Sequence, residues 1–369
     1  MAQANGQPVQ IPIIDISGAA SESQVAKELV DAAVTYGFVY IKNEGKDIPV
    51  DVIDHTFDLA SVGSSSRKFF SSPAEEKERC KILENNMGWS GMHTETLDAQ
   101  NQRVGDFKEA MNFGEFLNGK AQQILPPALI DHENDIEQFE DYCFNLCMKI
   151  LTLFGIGLEI PDSAGGRDWF ASRHARSFGP SGRTLRILHY PSLPEGIDYQ
   201  PEVDIRAGAH SDYGSITLLF QRPGQPGLEL LPPSTNTRRE DYGTTKNWTP
   251  VPVLPPGTEN DPSPPILVNI GDLLDHWTKN LLKSTVHRVV FPRDAKKGGE
   301  DRYSIAYFCH PASSTVLEAV PSKRVQDQKS ENDEATTAIT AQEHLLGRLK
   351  ASYLSLYRDD EKTEKIAAA

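Results

Sequence analysis

Residues 210–212 read His-Ser-Asp, at the head of the alternating run SITLLFQ. In an extended strand, side chains two apart project from one face, so His210 and Asp212 offer an imidazole and a carboxylate side by side. Such a pair is two-thirds of a metal-binding face, but one arises by chance in roughly every few chains of this length. A third ligand is needed. His276, in GDLLDHWTKN, lies in a short helix or turn among charged neighbours and reads as a surface residue. His287, in STVHRVVF, lies in a strand that can face a sheet interior, and is the expected third ligand. His93-Thr94-Glu95 repeats the spacing among glycines, without strand alternation, and reads as loop. Two histidines and one carboxylate on one face of an octahedral ion leave adjacent positions open, which suits non-haem Fe(II) oxygen chemistry. Zinc accepts the same donors but generally closes to four ligands with a single water.

A second constellation lies in DRYSIAYFCH, where Arg302 and Ser304 share a strand face. A planar cation beside a hydroxyl is suited to holding a carboxylate by charge-assisted hydrogen bonds. Tyr190, in TLRILHYP, could add a further hydroxyl. Alternation puts Leu188 and Arg186 on the face of Tyr190, and Ala306, Phe308 and His310 on the face of Arg302. Arg186 could meet an anionic or phenolic group or form a structural ion pair. Phe308 could stack on a planar ring, and His310 is either a core or a pocket histidine.

These residues need a scaffold. The chain has 369 residues and 38% apolar content, enough for a sizeable core. With 52 acidic against 37 basic residues the net charge is −15, which disfavours nucleic acid and anionic membrane as partners and favours a small-molecule substrate. The start lacks a basic segment followed by an apolar stretch, so a cytoplasmic enzyme is expected. Cys143 and Cys147, four apart in an apolar helical pattern, read as core residues.

Residues 1–180 are expected to be mainly helical and to pack on a core. Helical patterns appear in SESQVAKELVDAAVTYG, in VDVIDHTFDLASVGSSSRKFF and across 133–157. From about 183 the period falls to two. Strands are expected in TLRILHY, DIRAGAH, SITLLFQ, GLELL, TPVPV, PILVNI, STVHRVVF and DRYSIAYFC, with two Pro-rich surface insertions between them. About eight short strands without long helices between them suggest a sandwich or jelly roll, and the expected fold class is mixed α/β, with a jelly-roll core over 181–312 and flanking helices. Residues 313–369 are expected to form a lid segment and a closing helix, within one integrated unit.

Taken jointly, His-x-Asp, a strand histidine and Arg-x-Ser in this order resemble the 2-oxoglutarate- and Fe(II)-dependent dioxygenases of the isopenicillin N synthase-like group. The resemblance extends over most of the chain. PIIDIS resembles the family's opening strand, and YGFVYIKNEG its "GFF-x-(V/I)-x-NHG" segment, with Glu44 where a histidine is usual. GDFKEAMNFG resembles the "D-x-KE" region, and VNIGDLLDHWTKNLLKSTVHRV the stretch leading into the distal histidine. The family's "N-Y-Y-P" strand reads Leu188-His189-Tyr190-Pro191 here, without the asparagine.

The resemblance implies that His210, Asp212 and His287 bind Fe(II), and that Arg302, Ser304 and Tyr190 bind 2-oxoglutarate. It implies further that 2-oxoglutarate and O2 are cosubstrates in the oxidation of a metabolite's C–H bond by hydroxylation, desaturation or rearrangement, as in secondary metabolism. Arg186, Phe308, His310, Asn112 and Phe113 are the candidate substrate contacts. Three alternatives remain open at this point: an Fe(II) oxidase of the same family that needs no 2-oxoglutarate, a non-catalytic jelly-roll protein that binds a small molecule, and a zinc hydrolase.

Overall fold

The computed structural model describes residues 10–60, 69–193, 200, 203–292, 300–328 and 338–352. The expected helical stretches near 50–70 and 341–357 lie partly outside these residues. Four strands come from the first 113 residues: β1 (Ile13–Ile14), β2 (Phe38–Ile41), β3 (Gly88–Ser90) and β4 (Glu109–Phe113). The later strands are β5 (Thr184–Tyr190), β6 (Ala207–His210), β7 (Ile216–Gln221), β8 (Leu228–Leu230), β9 (Thr249–Pro250), β10 (Ile266–Ile270), β11 (His287–Val289) and β12 (Arg302–Cys309). They form an eight-stranded sheet in the order β1-β2-β10-β7-β12-β5-β4-β3 and a four-stranded sheet in the order β6-β11-β8-β9. All pairings are antiparallel except β1 with β2.

The helices are α1 (Glu22–Thr35), α2 (Val50–Ala60), α3 (Ala74–Glu78), α4 (Glu133–Gly157), α5 (Trp169–His174), α6 (Asp272–Trp277), α7 (Lys323–Gln326) and α8 (Ala341–Ser352). Among the described residues, no helix is long and apolar enough to cross a membrane. The 25-residue α4 buries Ile136, Phe139, Cys143, Cys147, Ile150 and Phe154 at helical spacing. That stripe belongs to one core cluster with Ile187, Leu218, Ile305 and Tyr307 from the outer face of the large sheet. A second cluster joins the two sheets: Phe38, Tyr40, Leu188, Tyr190, Leu267 and Ala306 meet Ala207, Leu228, Leu230 and Val289. Along β12 the odd residues therefore pack toward the helices, and the even residues, starting at Arg302, face the small sheet.

Two features go beyond the expectations. Besides its helices, the first half supplies β3 and β4, which extend the large sheet beside β5. Every residue of β4 is buried, so no polar–apolar alternation advertises it in the sequence. In TPVPV the strand covers Thr249–Pro250, with the Val251 N–H also donating to the Leu228 carbonyl at 2.9 Å, and its prolines lack the N–H that a longer ladder would use.

Gly37 shows how tightly the helices are joined to the sheets. It ends α1 at φ +67, and a Cβ there would lie 2.1 Å from the Lys283 carbonyl oxygen and 2.3 Å from Thr285 Oγ1. Thr285 Oγ1 donates to the Tyr36 carbonyl at 2.7 Å, pinning the segment that leads into His287. Gly37→Ala combines left-handed strain with overpacking and should cost about 2–4 kcal/mol in urea denaturation; an unchanged midpoint would contradict this packing.

The start of β12 is fixed by His189. Its ring nitrogens lie 3.0 Å from Glu109 Oε1 and 3.0 Å from Asp301 Oδ2, and its ring stacks on Tyr303. Burial works against the imidazolium, but Asp301 and Glu109 outweigh it and raise the pKa above the ordinary 6.5. This stabilisation is fully present below that ordinary value and is lost as pH rises through the folded one. The gap in thermal midpoint between wild type and Asp301→Asn should therefore shrink as pH rises above the ordinary 6.5; a constant gap would show that His189 is not the titrating partner.

Candidate active site

The strand pairing brings the first three candidate residues together. His210 ends β6, His287 begins β11, and the two stand opposite one another in the ladder. Asp212 follows two residues after His210, and both histidine Nε2 atoms lie 3.8 Å from Asp212 Oδ1. One ligand atom from each residue falls within a group no wider than 4.8 Å.

Neighbouring groups aim these atoms. His210 Nδ1–H donates to the Gly208 carbonyl at 2.7 Å, and His287 Nδ1–H to the Thr285 carbonyl at 3.1 Å. A carbonyl only accepts, so each Nδ1 carries the proton and each Nε2 presents a lone pair. Asp212 Oδ2 accepts from Thr217 Oγ1 and from Asn269 Nδ2, both at 2.7 Å, leaving Oδ1 to face the histidines. Burial, reinforced by His287, lowers the His210 pKa to about 3. Burial acts to raise the Asp212 pKa, but His287, His210 and the bonds from Asn269 and Thr217 hold it below the ordinary value. An ionised carboxylate and imidazoles that present Nε2 are the donors a divalent metal requires, so the residues present fit the group.

Arg302, Ser304 and Tyr190 line the same cavity, which encloses about 1040 Å³ including its open mouth. Arg302 is 1% exposed. It stands opposite Tyr190 in the β12–β5 ladder, with its guanidinium 4.9 Å from the tyrosine ring centroid. Its Nη1 donates to Ser304 Oγ at 3.2 Å, Nη2 to Gln221 Oε1 at 3.0 Å and Nε to the Gln225 carbonyl at 3.2 Å. All three acceptors are uncharged, and burial pulls the Arg302 pKa down. Among the described residues, no carboxylate forms an ion pair with it. A buried cation held only by neutral dipoles is costly unless an anion arrives.

The remaining candidates divide. Arg186 and Phe308 line the cavity, with the guanidinium 5.7 Å from the ring centroid. Arg186 is paired: Nη2 lies 3.1 Å from Glu95 Oε1, and Nε donates to Asn112 Oδ1 at 2.7 Å. Asn112 is buried behind Arg186 and positions it rather than lining the cavity. His310 also lines the cavity; burial lowers its pKa to about 3, and its Nδ1 has no hydrogen-bond partner among the described residues. Phe113, like Asn112, is corrected as a candidate substrate contact. It lies in the helix-side core, because adjacent residues of a strand point to opposite faces.

Sequence reasoning misses several contributors. Glu95, in the loop that repeats the His-x-acid spacing, is buried in the cavity wall, while His93 is exposed. Lys108, inside the GDFKEAMNFG motif, lies 2.7 Å from Glu95 Oε2 and also pairs with Asp106. Leu345 and Leu349 of α8 form part of the wall. Arg348 ties α8 to Asp272 and donates to Ser211 Oγ at 3.3 Å, between the first two candidate ligands. His276, as expected, is exposed on α6.

Family comparisons agree with this geometry. Residues 11–132 match the model of the non-haem dioxygenase N-terminal region named for morphine synthesis, and residues 182–311 match the 2OG-Fe(II) oxygenase superfamily. The chain is 37% identical over 347 residues to UPF0676 protein C1494.01 of Schizosaccharomyces pombe, covering 94% of this chain and 93% of that one. It is 28% identical to the 2-oxoglutarate-dependent dioxygenase gloF of Glarea lozoyensis, over 79% of this chain and 84% of that one. Among solved structures, a full-length Neurospora crassa protein crystallised in complex with alpha-KG and thymine superposes with a TM-score of 0.72 at 28% identity, over 94% of this chain and 98% of that one. The cavity, its donors and these relatives lead to one conclusion: the chain belongs to the 2-oxoglutarate- and Fe(II)-dependent oxygenase superfamily, and is a 2-oxoglutarate-dependent dioxygenase.

Proposed function

We propose that His210, Asp212 and His287 hold Fe(II) in this enzyme. In the same reading Arg302, Ser304 and Tyr190 hold the distal carboxylate of 2-oxoglutarate, and a small molecule is oxidised at a C–H bond beside Arg186, Phe308 and His310. The observation that carries this is the pairing, in one cavity, of a His-Asp-His cluster with a buried arginine that has only neutral acceptors. When bound, iron couples the oxidative decarboxylation of 2-oxoglutarate by O2, giving succinate and CO2, to oxidation of the second substrate.

The chain's own residues orient and enclose. The Arg302 fork and the Ser304 hydroxyl offer directed donors to a carboxylate. Leu219, Leu228, Val289 and Ala306 supply apolar wall around them and exclude water from the cosubstrate. Thr217 and Asn269 keep Asp212 from turning, so its free oxygen stays with the histidines. Leu345 and Leu349 of α8 add further apolar wall. The fungal relatives, which include the dioxygenase gloF and the proline hydroxylase buaE of Petromyces alliaceus, favour a role in the secondary metabolism of small molecules.

Assays of succinate release and bound iron test these roles. Arg302→Ala should raise the KM for 2-oxoglutarate roughly 10- to 100-fold, the equivalent of losing a charge-assisted hydrogen bond of about 1.5–3 kcal/mol; unchanged saturation would remove Arg302 from the site. Asn269→Ala should weaken iron binding by about 10- to 100-fold, as expected when a group orienting a metal ligand is lost. Full iron retention in a folded His210→Ala variant would overturn the metal assignment.

A further inference from the structure

We infer that the second substrate is an uncharged, planar, hydrogen-bonding small molecule, and that Glu95 enforces this by cancelling the charge of the cavity wall. The inference rests on the roles proposed above for the iron ligands and Arg302.

The argument is a count of buried charges. The remaining charged part of the cavity wall is built from Lys108, Glu95 and Arg186, with Asp106 bonded to Lys108. Lys108 and Glu95 are each 3% exposed, and Asp106 is fully buried. Lys108 bonds to both carboxylates, and Arg186 lies 3.1 Å from Glu95. Burial works against the charge on Lys108, but Asp106 and Glu95 outweigh it and raise its pKa. Two cations thus face two anions in this wall. In the proposed site, the two carboxylates of 2-oxoglutarate would be matched by Arg302 and by the charge of an Fe(II) ion held by one carboxylate and two neutral imidazoles. A charged substrate would enter a cavity whose cations already have partners, and an unpaired buried charge is strongly disfavoured.

The wall is nevertheless polar. Asn86, Thr184, Tyr213 and His310 line it with neutral donors and acceptors, and Phe308 gives a flat aromatic surface 5.7 Å from the Arg186 guanidinium. A ring carrying amide or imide groups satisfies both features, by stacking on Phe308 and bonding at its edge. The Neurospora crassa neighbour in complex with thymine is consistent with such a ligand.

Calorimetric titration of the anaerobic Fe(II)–2-oxoglutarate protein with matched probes tests this without turnover. Suitable pairs are thymine with uracil-5-carboxylate, nicotinamide with nicotinate, and benzamide with benzoate. The neutral member of at least one pair should bind, and in every pair that binds the anion should be weaker by about tenfold or more. Glu95→Gln removes one anion from beside Lys108 and Arg186, so it should narrow or reverse that ratio by about tenfold, while Arg186→Gln should widen it. Should a variant fail to fold, the wild-type pairs still decide. Equal or tighter binding of the anions, no binding of any neutral probe at millimolar concentration, or an unaltered ratio in both folded variants would overturn the inference. Absence of 2-oxoglutarate binding in the control titration would overturn the proposed function and this inference with it.

Discussion

Burying charge between two sheets is the constraint around which this cavity is organised. Each ionised group in the cavity loses the stabilisation of bulk water and needs a partner of opposite sign or a set of directed dipoles. Glu95 has Lys108 and Arg186. Asp212 has Thr217 and Asn269 on one oxygen and faces two histidines with the other. Arg302 has a serine, a glutamine side chain and a main-chain carbonyl, all uncharged. The fold thus balances Lys108 and Arg186 against Glu95 and Asp106, and leaves Arg302 with uncharged acceptors only.

Sheet register turns this arrangement into geometry. Pairing of β6 with β11 sets His210 against His287, and pairing of β12 with β5 sets Arg302 against Tyr190. A slip of one residue in β12 would exchange Arg302, Ser304, Ala306 and Phe308 for Tyr303, Ile305, Tyr307 and Cys309, which now pack against the helices. The apolar stripe of α4 therefore helps to place the cosubstrate anchor, although no residue of α4 lines the cavity. His189 reinforces the same register by joining Glu109 of β4 to Asp301, the residue before Arg302.

Much of this is legible in the sequence, for identifiable reasons. Period-two patterning marks β5, β7, β10 and β12, and their alternation assigns Tyr190, Arg186, Arg302, Ser304 and Phe308 to the face that lines the cavity. The strand context of His287 separates it from the exposed His276. What escapes either lacks periodicity or is buried on both faces. Glu95 sits in a loop, and only the tertiary fold brings it to Lys108. β4 shows no alternation, which conceals both the strand and the fact that Asn112 and Phe113 point to opposite sides. Gln221 reaches Arg302 across a strand pairing that no local pattern specifies.

The central claim is that one cavity joins a metal held by His210, Asp212 and His287 to a carboxylate held by Arg302. Anaerobic titration of the Fe(II) protein with 2-oxoglutarate, followed by visible absorption, addresses it most directly. The account predicts a charge-transfer band that saturates at one 2-oxoglutarate per chain and is displaced to much higher ligand concentration in Arg302→Ala. A protein with full iron occupancy and no band, or a band whose titration is indifferent to Arg302, would contradict it.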